Sequence, residues 1–290
     1  MADLSKKNTT STTASPKKSG NLISLLAPVI CLVVGYCIWR FFLGDPSNFS
    51  EGKSHGGFWP ERDGPIASGI AGAALSKMYL GGIIVPILIG SFLTMLTFVV
   101  ERFLTVMKAS GTGNSSEFVR KVRYHLANNN VDAAIAECDK QKGSVGNVMR
   151  AGLNKYKAMM SNNELTSEQK VLAIQKEVEE ATALELPMLE KNLVFLSTIA
   201  SIATLLGLLG TVLGMIRSFS ALGEDSGGGA AASKLSVGIS EALYNTALGI
   251  GTSAFAIIFY NIFTTKIDAI TYGIDESGFT LTQSFASQHK

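Results

Sequence analysis

Four stretches of this 290-residue chain are long and apolar enough to cross a bilayer, and no other feature restricts its possible folds so severely. A spanning helix needs about 20 mostly apolar residues. The runs cover roughly Leu22 to Leu43, Tyr79 to Met107, Leu193 to Phe219 and Leu235 to Phe263. Inside the hydrocarbon layer backbone groups must bond to one another, which admits only helices or closed barrels. No strand-period alternation of useful length occurs, so the expected class is an all-α membrane protein with four transmembrane helices. Composition agrees: 47% of residues are hydrophobic and 17% charged, against about 25% charged in soluble chains.

Lys6, Lys7, Lys17 and Lys18 precede the first run. A cleaved leader would have an apolar region of only about 7–15 residues and a small-residue cleavage site. This run is longer and ends in Trp39-Arg40-Phe41-Phe42, an interfacial anchor, so it reads as a retained span. The lysines place the N-terminus in the cytoplasm, and four crossings return the C-terminus there. The segment between spans two and three is rich in Lys and Arg, while the loop between spans three and four has only Lys234. Both signs suit a multi-pass membrane protein with both ends inside.

The resulting organisation is a disordered tail (1–20), an N-terminal span (21–44), an outward loop (45–77), a second span (78–108), a cytoplasmic helical insertion (109–186), a two-span unit (187–268) and a cytoplasmic tail (269–290). The outward loop is expected to hold a short Ala/Gly-rich helix from Ile66 to Ser76. In the insertion, Ser115 or Ser116 caps a helix carrying Phe118, Val122 and Leu126. Val131 starts another that Gly143 ends, and a third covers Ser144 to Met160. Thr166-Ser167-Glu168-Gln169 is a capping box. Pro187 is expected to kink the helix that leads into the third span.

Several functions are excluded. A net charge of +2 leaves no clustered excess of cations for nucleic acid. Three cysteines, without a CxxC, and three scattered histidines offer neither a disulfide framework nor a zinc site. Nothing calls for a cofactor or an enzyme: there is no nucleophile elbow and no paired carboxylate pocket. The Gly223–Gly229 segment lacks the Lys-Ser/Thr of a phosphate loop and reads as a flexible hairpin between spans.

Chemistry concentrates in the last two spans. At 100° per residue, Ser197, Ala200, Ser201, Thr204, Gly207, Thr211, Gly214 and Ser218 share one face of the third. In the fourth, Gly238, Glu241, Asn245, Gly249, Thr252 and Ala256 line one face, bordered by Thr246 and Ser253. Small residues let helices approach closely in lipid, so Gly207, Gly210, Gly214 and Gly249 are packing candidates, with hydroxyls bonded back to their own helices. Glu241 weighs the other way, because a carboxylate near hydrocarbon costs several kcal/mol unless protonated, paired or wet. It could sit at the outer interface beside Lys234, or mark an ion path. Two facing stripes, one bearing an acid, point to a polar lumen built by several copies of the chain.

These runs resemble a known family. Leu189-Glu190-Lys191-Asn192-Leu193, Leu196 through Ser201, and Leu206 through Ile216 are similar to the second core span of the MotA/TolQ/ExbB proton-channel family. Gly238-Ile239-Ser240-Glu241-Ala242-Leu243-Tyr244-Asn245-Thr246-Ala247-Leu248-Gly249 resembles its third core span, and Tyr260-Asn261-Ile262-Phe263 that span's inner end. The likeness is nearest to the ExbB branch. It is carried by motifs across 187–268 and by architecture across 79–186; the first span has no counterpart in the shortest members. The resemblance implies a homo-oligomer, a pentamer, around an ExbD/TolR-like single-span partner, conducting protons to drive a TonB-like protein. It implies that Glu241 and Thr246 match the family's lumen-lining Glu and Thr. The family's other lumen threonine aligns with Ile202, and Thr204, where many members have Pro, lies at nearly the same depth. With Asn245, Thr211 and Ser201 these residues form the expected ion pathway. Sodium would suit the same oxygens. TolQ-like and motility-motor clients, or a non-conducting scaffold, are the alternatives.

Overall fold

The structure, a computed structural model, describes residues 19–45, 48–49, 70–224 and 228–288. Within them lie nine helices and no strand: α1 (Ser19–Cys37), α2 (Ile70–Leu80), α3 (Ile84–Ser110), α4 (Ser115–Ala127), α5 (Val131–Gln141), α6 (Gly143–Met160), α7 (Ser167–Glu190), α8 (Leu193–Glu224) and α9 (Gly228–Gln288). A wide π-type turn, Ile38–Leu43, extends α1. Four helices are long and apolar enough to cross a membrane. Residues 1–18 of the expected 1–20 tail and most of the loop between Gly44 and Ile70 lie outside the described residues, and α1 already begins at Ser19.

Helix α9 has 61 residues, roughly 90 Å at 1.5 Å per residue, about three times the hydrocarbon thickness. Most of the C-terminal segment expected as a tail is therefore helix, and it has a job. Ile274, Leu281 and Phe285 are fully buried and share a core with Val122 and Leu126 of α4, Val148 and Leu153 of α6 and Ile174 of α7. The insertion thus folds as a helical head on the projecting end of α9. Gln288 Nε2 donates to the Leu126 carbonyl at 2.8 Å, tying the ends of α9 and α4 together. The same core continues through Phe98, Leu196 and Ala200 into the apolar helices.

Several boundaries differ from the sequence expectation, each for a local reason. Asn114, not a serine, caps α4: its side chain accepts from the Ser116 N–H at 3.0 Å. Gly143 does not end α5 but opens α6 at φ +69°, after Lys142 at φ +55° has turned the chain. Pro187 sits inside α7 without ending it. The break falls at Lys191–Asn192, where Asn192 takes φ +67°, a conformation Asn tolerates better than most residues. The capping box forms between Thr166 and Gln169. The short Ala/Gly helix is described from Ile70 and ends at Leu80, four residues beyond the expected Ser76. Of the Gly-rich hairpin, Gly223, Glu224, Gly228 and Gly229 are helical, and 225–227 lie outside the described residues.

Two charged residues near the end of the second apolar run went unnoticed in sequence. Arg102 is 2% exposed. Its guanidinium pairs with Glu101 at 2.6 Å and donates to the Leu189 carbonyl at 3.1 Å. Asn192 Nδ2 donates to the other Glu101 oxygen at 3.2 Å. This clasp from α3 satisfies the carbonyl end of α7 at the break before α8, where helix termini leave unpaired groups.

Candidate functional site

Helices α8 and α9 pack as an antiparallel pair along a ladder of small residues. A Cβ on Gly214 would lie 2.6 Å from the Cβ of Ala242, one on Gly210 2.6 Å from the Cβ of Asn245, and one on Gly249 2.5 Å from the Ala203 carbonyl. Backbones this close leave no room for water, so the seam is dry. Two hydroxyls bond across it: Thr246 Oγ1 donates to the Gly207 carbonyl at 3.0 Å, and Ser253 donates to the Ala200 carbonyl. All four predicted packing glycines lie on this seam.

The predicted pathway residues do not share one surface. Ser201, exposed, donates to Ser197 at 3.3 Å; Thr204 and Thr211, half-buried, donate to Ala200 and Leu208 at 3.5 and 2.6 Å. Their protons are spent on their own helix, but their oxygens retain lone pairs for water or an ion. On the helical wheel they occupy an edge about 80° from the seam. Asn245 is 2% exposed and turned inward: its Nδ2 donates to the Gly81 carbonyl at 3.1 Å. It therefore lies inside the protomer, not on an open face. Glu241 and Thr246, both half-buried, are five residues apart and so leave α9 roughly 140° apart. Right-handed geometry in two antiparallel helices puts Thr246 on the edge that carries Ser201, Thr204 and Thr211. Glu241 leaves on the other edge, where Asn245 meets Gly81. Lys234, its suggested neighbour, has a side chain outside the described residues.

The outer faces are apolar. Leu205, Leu209, Val212 and Ile216 on α8, and Leu243, Ile250 and Ile258 on α9, are 45–64% exposed, as suits lipid or a second copy. Among the described residues no group of three or more His, Cys, Asp and Glu gathers where it could hold a metal.

Asn245's partner was legible in principle. Gly81-Gly82 is a strong helix breaker inside a run read as one continuous span, and α2 ends at Leu80 while α3 starts at Ile84. Gly82 takes φ +83°, which glycine alone adopts without penalty.

Comparison with known proteins bears on the same helices. Residues 140–276 match the model of the MotA/TolQ/ExbB proton channel family. An ExbB-like biopolymer transport protein of Synechocystis is 43% identical over 86 residues, 30% of this chain and 41% of its own length. The Tol-Pal system protein TolQ of Haemophilus influenzae is 39% identical over 97 residues, 32% and 41% of the two chains. The biopolymer transport protein ExbB of Helicobacter pylori is 42% identical over 83 residues, 29% and 56%. The chain thus spans about two fifths to just over half the length of these relatives. The matched stretch takes in α6 and α7, the whole α8–α9 seam and both of its edges, and through it the chain is similar to the MotA/TolQ/ExbB proton channel family.

Proposed function

We propose that this chain is the multi-span subunit of a proton-driven motor in the bacterial inner membrane. Several copies, five by family likeness, surround an ExbD/TolR-like single-span partner, and proton flow energises TonB-dependent transport across the outer membrane. Both termini and the α4–α7 head face the cytoplasm. The observation that carries the reading is the hydroxyl edge. After the seam has used the glycines, Ser201, Thr204, Thr211 and Thr246 remain at one side of the α8–α9 pair with oxygens able to hold water. One pair cannot enclose a passage; a ring of them can, each contributing an edge. Glu241 lies nearest the α8–α9 turn and exchanges protons at the outer mouth. A carboxylate from the partner completes the route, since the only acid this chain places on its channel helices between Glu241 and Lys266 is Glu241 itself.

The likeness to a TolQ protein favours a Tol-Pal client as the second reading of the same motor. A non-conducting scaffold is a distinct reading, supported by the dryness of the seam. The test is partner-dependent proton flux in vesicles. Glu241→Gln and Thr246→Val are each expected to lower it about tenfold or more while the complex still assembles, the effect of losing ~1.4 kcal/mol or more from the barrier. Unchanged flux in both overturns conduction through these edges and leaves the scaffold.

A further inference from the structure

Helix α1 and the α2–α3 connection lie outside residues 140–276, the part that matches the family. They are nonetheless joined to α9 by an unbroken chain of contacts that begins at the π-type turn of α1. Such wide turns are rare and are found frequently at functional sites. Here Trp39, 2% exposed, stacks on Tyr79 with ring centroids 4.8 Å apart and planes 19° from parallel. Its Nε1 donates to the Tyr79 carbonyl at 3.1 Å, and Arg40 Nη1 donates to the Tyr79 hydroxyl at 3.3 Å. Gly44 completes the enclosure: a Cβ there would lie 2.5 Å from the Tyr79 ring. Tyr79 is fully buried as a result.

Two residues further on, the break between α2 and α3 frees the Gly81 carbonyl from the helical ladder, and Asn245 of α9 takes it. The Asn245 amide fills a slot with no slack. A Cβ on Gly81 would come within 3.0 Å of its Oδ1, and one on Gly210 within 2.6 Å of its Cβ. Its Oδ1 is buried with no hydrogen-bond partner among the described residues, and leaving a buried acceptor unpaired is costly. A side chain held at that cost is held for its position. Farther along, α1 crosses α3 at Gly35 and Gly90, where a Cβ on Gly35 would lie 2.7 Å from the Gly90 nitrogen. The clamp therefore has a rigid mount.

We infer that the N-terminal span is a clamp on the channel helix: through Trp39, Tyr79, the Gly81–Gly82 elbow and Asn245 it sets the position of the Glu241–Thr246 turn of α9. Trp39 and Asn245 are its positioning residues, at opposite ends of one mechanical unit. A span that merely anchored the chain would need neither the stacked Tyr79 nor the buried amide. The inference rests on the conducting role proposed above for its consequence, though not for its geometry.

The experiment uses the full chain with its single-span partner and four variants: Trp39→Leu, Asn245→Ala, the double variant, and Trp39→Phe, which keeps an aromatic ring on Tyr79. Val33→Ala, on the exposed face of α1, is the control. Two quantities are measured: the thermal midpoint of the purified complex, and the ratio of proton to sodium flux at matched amounts of assembled complex. Members of one mechanical unit are non-additive, so the double variant should melt no lower than the worse single one. Both single variants should shift the flux ratio in the same direction by about threefold or more, a coupling at the low end for connected residues. Trp39→Phe should recover most of that shift, and Val33→Ala should show none. Additive thermal shifts overturn the clamp whatever the flux does. With a conducting complex, an unaltered ratio overturns it too. If the unsubstituted complex passes no ions, the proposed function fails and the thermal cycle alone decides the clamp.

Discussion

The α8–α9 seam yields a comparison in which one helix carries both test and control. Gly249 and Gly251 are two residues apart on α9. A Cβ on Gly249 would lie 2.5 Å from the Ala203 carbonyl and 2.8 Å from the Gly207 Cα, both backbone atoms that cannot swing aside; around Gly251 nothing lies within 4 Å. Ordinary contact begins near 3.4 Å, so Gly249→Ala forces α8 and α9 apart by close to an ångström along the tightest part of their interface. Overpacking of this kind costs about 1–3 kcal/mol. Separation also stretches the Thr246–Gly207 bond, now 3.0 Å, and such interhelical bonds are worth about 0.6 kcal/mol on average. Gly251→Ala should instead gain from helix propensity, by up to about 1 kcal/mol. Thermal unfolding in detergent, followed by the loss of the monodisperse chromatographic peak, should rank Gly251→Ala at or above the unsubstituted protein. Gly249→Ala should fall below it by several degrees, at about 2–4 °C per kcal/mol. Equal midpoints for the two variants would refute the close-packed seam.

Arg102→Met breaks the clasp beneath α8. Loss of one partner of a buried pair costs about 3–5 kcal/mol, and since the Glu101 side chain is 41% exposed the low end is expected; adding Glu101→Gln should recover part of the lost thermal midpoint. Thr166→Ala removes the N-cap of α7 and should lower stability by about 1 kcal/mol, read from urea unfolding of the head's helical signal. Burial pushes the Cys138 thiol up to about 12. Unfolding returns it to an ordinary 9.0, so its contribution to stability is complete below pH 9 and falls as pH rises from there toward 12. With Cys31 and Cys37 replaced by serine, iodoacetamide at pH 8 should leave Cys138 unmodified until denaturant is added, and rapid labelling of the native protein would contradict this.

The parts of this fold that were legible in sequence are those whose signal repeats. The four apolar runs and the Gly207–Gly210–Gly214 spacing are periodic, and periodicity survives small errors at each position. The capping box is equally local, with Thr166 and Gln169 carrying their whole argument within four residues. Features resting on a single distant partner were not legible. Asn245 meets Gly81 across 164 positions, so its place on the helical wheel was correct while the surface it faces was not determined. Arg102 was hidden by the apolar residues around it, and its acceptor is 87 positions away. At the α7–α8 junction Pro187 is the conspicuous breaker, yet a proline near a helix end removes a single donor, whereas Asn192 reverses the backbone. The break falls where tertiary support, the Glu101–Arg102 clasp, stands, and no local rule shows that partnership.

The separation of Glu241 from Thr246 permits one more prediction. If both groups served a single file of water within one protomer, removing either would break the same hydrogen-bonded chain, and the double variant would lose little beyond the worse single one. Their directions on α9 differ by roughly 140°, and the dry seam, where a Cβ on Gly210 already meets Asn245 at 2.6 Å, lies between them. Proton exchange at Glu241 and passage along the Thr246 edge are then distinct barriers, the first nearer the α8–α9 turn by about 7.5 Å of helix rise. Resistances of successive steps add. Partner-dependent flux of Glu241→Gln/Thr246→Val should therefore be slowed by about the sum of the two single slowings, clearly more than the worse single variant and well short of their product. A double variant no worse than Glu241→Gln would place both groups on one file and overturn the assignment of separate edges.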